Sequence, residues 1–401
     1  MKILWVNPNF LHPTTKGGQI RTLEMLRALH QRHEVHYAAL ENPAEPEGVA
    51  RSKEYCHRAW PFRARIHSKH SPAFALELLR GLASPIPLAV SRFHSSEMAR
   101  FLSTALREGG FDWVVCDFLV SAVNFPSLRN TVLFQHNVET MIWRRRVEHA
   151  PDPLRRAYLK LQADRMLRFE QRACREAGYV IAVSENDCKL MREMFDVSRV
   201  ADIPTGVDIE YFSPPAAAPR RSDLIFIGSM DWMPNVDGIE YFVREILPRI
   251  RTQKPDCSLA ICGRDPGPGI RALAERDRWL TVTGTVPDVR PYLWGSRVSI
   301  VPLRVGGGTR LKIYESMAAD VPVVSTTIGA EGLAARHGEH LLLADTPDEF
   351  ARACLDLLEN DKTRRRLAEA ARDLVSTCFS WEQVARRFEA LLEANLVFTE
   401  D

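Results

Sequence analysis

The sequence predicts an α/β fold made of two Rossmann-like domains, each built on a parallel sheet. Three observations predict it. Short β-branched runs ending in polar residues alternate with helical patterns along the whole chain, and the first strand of each half runs into a glycine-bearing loop. A stretch rich in Pro and Ala, "IPTGVDIEYFSPPAAAPRRSD" (203–223), separates the two series and reads as a linker. At 401 residues the chain has room for two or three domains, and 45% hydrophobic with 26% charged residues is the balance of a globular protein.

"KILWV" (2–6) is the first buried strand. A polar loop, "NPNFLHPTTKGG", and a helix, "QIRTLEMLRALHQ", lead to a second strand at 33–40. Further strands are predicted at 112–118, 131–137 and 179–184. Between the last two lies a helical stretch, roughly 140–177, with ten Arg and Lys residues from Arg144 to Arg175. Its basic side chains either form a solvated, salt-bridged face or attract anionic lipid headgroups. The second series places strands at 224–230, 257–263, 280–286, 298–303 and 321–327. The amphipathic segment "SWEQVARRFEALLEANL" (380–396) is a terminal helix that packs within the second domain or crosses back onto the first.

Several function classes are excluded. A net charge of +2 offers no global polycation to nucleic acid, so electrostatic function must come from local clusters. The eight cysteines show neither Cys-x-x-Cys pairs nor zinc-ligand spacing, which predicts buried free thiols in a reducing cytoplasm. The N-terminal apolar run is too short for a signal sequence, and no segment approaches the ~20 apolar residues of a membrane span. The expected location is cytoplasmic, with the inner face of a membrane as the alternative. No Asp-x-Asp occurs, so no metal is expected.

The most informative stretch is "VGGGTRLKIYES" (305–316). Thr309 suits a helix N-cap, yet Arg310 and Lys312 then fall in the first turn, where cations oppose the helix dipole by roughly 0.3–1 kcal/mol each. A docked anion reverses that sign. Backbone N–H groups from Gly307, Gly308, Thr309 and Leu311, with Arg310 and Lys312, make a phosphate cradle. Glu315 lies too far into the helix for phosphate, but a carboxylate there can accept hydrogen bonds from ribose hydroxyls. A solvated helix start and an exposed helical Glu are the plain alternatives.

The second half resembles the retaining, GT-B-fold glycosyltransferases of family 4 (glycosyl transferases group 1). "YESMAADVPVVSTTIGAEGL" is similar to the family's second-Glu motif and the residues after it, with Asp320 where the family often has Gly. "IPTGVDIEYF", "VTGTVPDVRPYLWGSRVSIVPL" and "FSWEQVARRFEALL" resemble its linker, its base-binding region and its terminal helix. The resemblance covers nearly the whole chain. It implies two domains facing across a cleft: an acceptor domain over 1–205, a nucleotide-sugar donor domain over 206–376, and a helix over 377–401 that crosses back.

The resemblance also assigns roles. It implies that His136, in "FQHNVET", meets a hydroxyl of the donor sugar, with Asn137 and Glu139 as weaker candidates, and that Gly284, Thr285 and Val286 recognise the base through the backbone. Gly17 and Gly18 either form a tight turn or let backbone approach phosphate or acceptor; Arg21 either helps a phosphate or faces solvent. Gly228 and Ser229 occupy the equivalent loop of the second half, and Arg264 is either a ligand contact or an exposed loop arginine.

One departure stands out. Gly307 replaces the family's first Glu, and the loop "GSMDWMPNVDG" lacks the family's phosphate-gripping Arg and Lys. The diphosphate clamp is therefore expected to have moved to Arg310 and Lys312, which are taken with His136 as the catalytic group. The activity implied is transfer of a sugar from a nucleotide-diphosphate donor to an acceptor hydroxyl with retention, on a glycan, lipid-linked glycan or small molecule. A nucleotide-sugar epimerase and a non-catalytic nucleotide-sugar-binding protein are the alternatives.

Overall fold

A computed structural model describes residues 1–14, 17–63, 77–78, 81–148, 150, 152–217, 219, 221–305 and 311–396. The chain divides into two compact units, Met1–Pro204 with Val384–Asp401, and Thr205–Gln383.

In the first unit the described residues form seven parallel strands: β1 (Lys2–Asn7), β2 (Glu34–Glu41), β3 (Arg58–Arg63), β4 (Trp113–Asp117), β5 (Val132–Phe134), β6 (Tyr179–Ala182) and β7 (Val200–Asp202), in the order β3-β2-β1-β4-β5-β6-β7. Parallel strands covered on both faces need near-continuous apolar sequence, and Leu4, Val6, Val115, Leu133 and Val180 are fully buried. The strand order reverses between β1 and β4. Their register pairs Val6 with Cys116, which sets Asn7 and Asp117 side by side at the carboxyl edge.

Helix α1 (Gly17–His30) follows β1; α2 (Glu139–Glu148) and α3 (Pro153–Glu176) lie between β5 and β6. Gly17 and Gly18 are therefore the first turn of α1, not part of the loop as the sequence suggested. Glycine is required at 18, since a Cβ there would be 2.8 Å from Phe118 Cζ. The arginine-rich stretch is two helices, not one, because Asp152 caps a new start by accepting from Arg155 N at 2.8 Å, with Pro153 in the first position.

The second unit holds β8 (Ser222–Ile227), β9 (Leu259–Cys262), β10 (Leu280–Gly284), β11 (Ser296–Val301), β12 (Val323–Ser325) and β13 (Leu342–Leu343), in the order β10-β9-β8-β11-β12-β13. This sheet too is parallel and reverses between its first strand, β8, and β11. Helix α4 (Leu311–Ala318) follows the loop after β11, and α5 (Trp381–Leu396) ends the described chain.

The supposed linker folds onto the second unit. Val207 N donates to Phe379 O at 2.8 Å, and Asp208 caps a one-turn helix at Ile209–Phe212. The apolar positions Val207 and Phe212 join the core, where Trp294 Nε1 donates to Phe212 O at 2.7 Å. Gly206 is required here, since a Cβ would stand 2.7 Å from the Trp381 ring.

The segment from Val384 onward counts with the first unit. There Phe388, with no exposed surface, packs at 5.6 Å from Trp5 and 6.0 Å from Phe134. Seven cysteines are buried free thiols, as expected, whereas Cys378 is exposed. Among the described residues no helix is long and apolar enough to cross a membrane.

Because Phe388 fills the space between two strand aromatics, Phe388→Ala should cost the first unit about 3–5 kcal/mol. Urea denaturation followed by tryptophan fluorescence, with Trp5 as a local reporter, measures it.

Candidate functional site

In an open parallel sheet the loops part where the strand order reverses, leaving room for a ligand beyond the carboxyl ends. Each unit places a polar cluster there.

In the first unit the centre is Asp117, the last residue of β4, which is wholly buried. Its Oδ2 accepts from Trp5 Nε1 at 3.0 Å, Asn7 Nδ2 at 2.7 Å and Thr22 Oγ1 at 2.8 Å. Its Oδ1 faces His136 Nε2 at 2.7 Å. Burial alone would raise the Asp117 pKa, but His136 and the donors from Trp5 and Thr22 hold it below the usual value. Burial likewise depresses His136, against the pull of Asp117. The His136 ring stacks on Phe118 at 3.8 Å with planes 5° apart, and Phe118 itself sits at a positive φ of 62°. A bulky residue in that region is strained and persists only where its surroundings hold it there.

His136 is also fixed from behind. Glu170, buried on α3, accepts from Glu139 N at 2.9 Å and Thr140 N at 2.7 Å, so it caps α2 from another helix. Gln135 Nε2 donates to the same carboxylate at 3.2 Å. Burial pushes Glu170 up to about 7 despite these donors. Glu139 is thus the start of α2, and Asn137 is exposed beside it.

Arg21 does not face solvent. It is buried on α1, with its guanidinium carbon 4.7 Å from the Phe134 ring and Nη2 donating to Ile203 O. Among the described residues, its Nε and Nη1 are buried without a hydrogen-bond partner. Burial lowers its pKa to about 9, although Asp117, Asp187 and Asp202 oppose that.

The second unit gathers cations instead. Lys312 Nζ donates to Asn235 Oδ1 at 2.8 Å and lies 4.3 Å from the Phe226 ring centre. Asn235 Nδ2 donates back to Ser229 O at 2.7 Å. Both side chains crowd Gly228, where a Cβ would be 2.7 Å from Lys312 Nζ. Arg264, after β9, donates from Nε to Ser229 Oγ at 2.7 Å and pairs with Asp231 at 3.3 Å. The loop that lacks its own Arg or Lys therefore receives one from each of two neighbouring segments. Gly263 allows this approach: a Cβ there would overlap the Gly228 carbonyl oxygen.

Glu315 lies one turn beyond Lys312 and is half-buried; among the described residues no hydrogen bond or ion pair reaches its carboxylate. Burial pushes it up to about 7, with Lys312 pulling the other way. Leu311 is the half-buried first residue of α4. Asp320, in the place of the family's glycine, adopts a φ of 57° and accepts from Arg372 at 2.6 Å. The position needs a left-handed residue, which Asp tolerates. Gly284 ends the edge strand β10 at a φ of 67°, with Thr285 exposed and Val286 packed on the core. Gly307, Gly308, Thr309 and Arg310 lie outside the described residues.

Thus Gly18 and His136 meet in one unit, and Gly228, Ser229, Arg264 and Lys312 in the other; Gly17 is exposed. Sequence reasoning missed Asp117, Phe118 and Asn235. The available signal was that both "KILWVN" and "WVVCD" end in a polar residue at neighbouring strand ends. The basic side chains of α3 lie elsewhere. Arg129, Arg168, Arg172 and Arg175 line a concavity of about 540 Å³, at the amino edge of the first sheet where Arg129 precedes β5 and α3 leads into β6.

The chain is similar to known proteins in both units. The family described as Glycosyl transferases group 1 matches residues 221–360, and Glycosyltransferase Family 4 matches 15–211. An uncharacterised 44.6 kDa protein in the cps region of Klebsiella pneumoniae is 24% identical over 44% of this chain and 46% of its own. The chain spans about half the length of the curated relatives it matches. Among solved structures, sucrose-phosphate synthase from Thermosynechococcus elongatus superposes with a TM-score of 0.70 at 18% identity, covering 99% of both chains. Anabaena HepE in complex with UDP and glucose gives 0.65 at 15% identity, over 98% of this chain and all of that one. The two parallel-sheet domains have the GT-B architecture.

Packing and charge predict two outcomes. Gly263→Ala forces a methyl into a backbone carbonyl and should destabilise the second unit by about 3 kcal/mol, measured by denaturant unfolding. Glu315 is raised from 4.5 to about 7 in the fold. The folded chain then keeps a proton that the unfolded chain releases, so the contribution of Glu315 to stability falls as pH rises through that window. Glu315→Gln should flatten the difference in Tm between about pH 5 and about pH 8.

Proposed function

The chain belongs to the group 1 glycosyltransferase family, and from that premise we propose that it moves a sugar from a nucleotide-diphosphate donor to an acceptor hydroxyl, keeping the anomeric configuration. The observation that carries the reading is the position of Lys312, whose ammonium lies against Gly228 at the reversal of the second sheet, with Arg264 one strand away. That is cationic, hydrogen-bond-donating ground suited to a diphosphate. UDP in the HepE complex supports a uridine donor.

In this reading Lys312, Arg310 and the start of α4 neutralise the leaving diphosphate without a metal, and Gly228, Ser229, Gly307, Gly308, Thr309 and Leu311 supply donors around it. Glu315, with no partner among the described residues, takes the ribose hydroxyls. Gly284, Thr285 and Val286 receive the base. The phosphate oxygen that leaves takes the acceptor proton on the same face of the sugar, so no enzyme nucleophile is required. Positioning and electrostatics carry the rate.

The acceptor in this reading is a glycan, held on a lipid or free. Arg144, Arg155, Arg156 and Lys160 are exposed on α2 and α3, and Leu154 protrudes with 83% of its surface exposed. Such a face suits anionic headgroups at about 1 kcal/mol per basic residue. Co-sedimentation with anionic but not neutral liposomes is expected, and equal recovery in both removes the lipid part.

A thermal-shift screen of nucleotide sugars tests the donor, since a ligand that binds only the folded state raises Tm. Lys312→Ala should weaken UDP-glucose binding about 10–100-fold, the worth of one charge-assisted hydrogen bond. Product analysis separates the outcomes: a new glycoside supports transfer, and binding without turnover across an acceptor panel supports a non-catalytic binder.

A further inference from the structure

His136 can present either ring nitrogen to a ligand, and the residue behind it decides which. Asp117 has one oxygen saturated by Trp5, Asn7 and Thr22, and the other left to His136 Nε2 at 2.7 Å. A carboxylate only accepts, so Nε2 carries the proton in that contact. The imidazole packs between Phe118 and Phe134, at 3.8 and 5.3 Å, and burial disfavours a second proton on it. Nδ1 is then a bare lone pair. It points to the first turn of α1, where a Cβ on Gly18 would stand 3.7 Å away.

We propose that Asp117 is the positioning residue of this site: it locks His136 in the Nε2–H tautomer, so that Nδ1 accepts a hydrogen bond from a hydroxyl of the bound sugar or acceptor. The hydroxyl as ligand rests on the glycosyltransferase reading; the tautomer does not. Gly18 belongs to the same device, because any side chain there would stand on the path to Nδ1. The three donors to Oδ2 do more than neutralise a buried charge. They fix which oxygen turns to the histidine, and so make the lock directional.

That directionality gives a sharp test. In Asp117→Asn the three donors hold the amide oxygen, so the amide NH2 must face His136. His136 Nε2 then has to accept, and the proton moves to Nδ1, reversing the tautomer with almost no change in volume. The measurement is long-range nitrogen–proton NMR on the full chain with nitrogen-labelled histidine rings, His136 being assigned by its loss in His136→Gln.

The wild type should show Nε2 protonated and Nδ1 bare; Asp117→Asn should show the reverse. Release of UDP from UDP-glucose should fall about 3–10-fold in kcat/KM, the worth of one hydrogen bond between neutral partners. A wild-type His136 protonated on Nδ1 or on both nitrogens overturns the proposal, and does so even if Asp117→Asn fails to fold. A reversed tautomer with unchanged kcat/KM overturns the acceptor role of Nδ1, since a hydroxyl can also accept from Nδ1–H. A chain that shows the tautomer switch but turns over no nucleotide sugar overturns the transferase reading and still supports the role of Asp117.

Discussion

The constraint on which the rest depends is the reversal of strand order in each parallel sheet. Both faces of such a sheet are buried, so polar function is confined to the carboxyl edge, and only at the reversal do the flanking loops part. Each unit bridges that gap with polar contacts between neighbouring segments, among them Asn7 to Asp117 at 2.7 Å in the first and Lys312 to Asn235 at 2.8 Å in the second. The glycines, aromatics and capping residues around these pairs are arranged to let them form.

The two units solve the problem with opposite chemistry. The first buries a carboxylate, which is costly unless its oxygens are satisfied, and Asp117 is satisfied by side chains from β1, from α1 and from the end of β5. The product of that arrangement is a neutral imidazole with a defined acceptor edge. The second unit brings cations to a loop that has none. Lys312 meets an amide oxygen and an aromatic face there, neutral groups that orient an ammonium without adding a formal negative charge.

Much of this was legible in the sequence, for physical reasons that also explain the failures. The ten strands read from apolar runs are all present, most of them because strands covered on both faces cannot avoid such runs. The three missed strands had no such obligation. β3 is an edge strand with exposed arginines at both ends, and β7 and β13 have only three and two residues. The Pro- and Ala-rich segment looked like a linker because its core contacts, Val207 and Phe212, are too few to make a period. Of the site, Lys312 and Gly228 were each visible, but not their meeting, which depends on strand order. Asp117 carried only the weak signal of a polar residue at a strand end. An aspartate ending a strand is common, and only the β1–β4 pairing shows that three donors converge on it.

The first turn of α4 shows how a local rule is broken in favour of a distant one. A lysine there opposes the helix dipole and should be disfavoured by a few tenths of a kcal/mol. The gain is placement: carried on a helix, the ammonium reaches the Gly228 backbone from a rigid element, and Asn235 and Phe226 fix its rotamer. The choice of an amide at 235 matters. An aspartate in its place would orient the lysine equally well, but would set a negative charge on the ground where an anion is to bind. Glu315, one turn further along the helix, is driven by burial toward its protonated form, which lowers the negative charge near the ammonium around neutral pH. Purely structural cations in the same unit show the other choice: Arg372 sits on the carboxylate of Asp320 and Arg304 on that of Asp237. At the amino edge of the first sheet, Arg172 faces Glu176 and Arg175 faces Asp196 in the same way. At the reversal of the second sheet the two cations differ in the same respect: Lys312 is oriented by the Asn235 amide, while Arg264 pairs with Asp231 as well as Ser229.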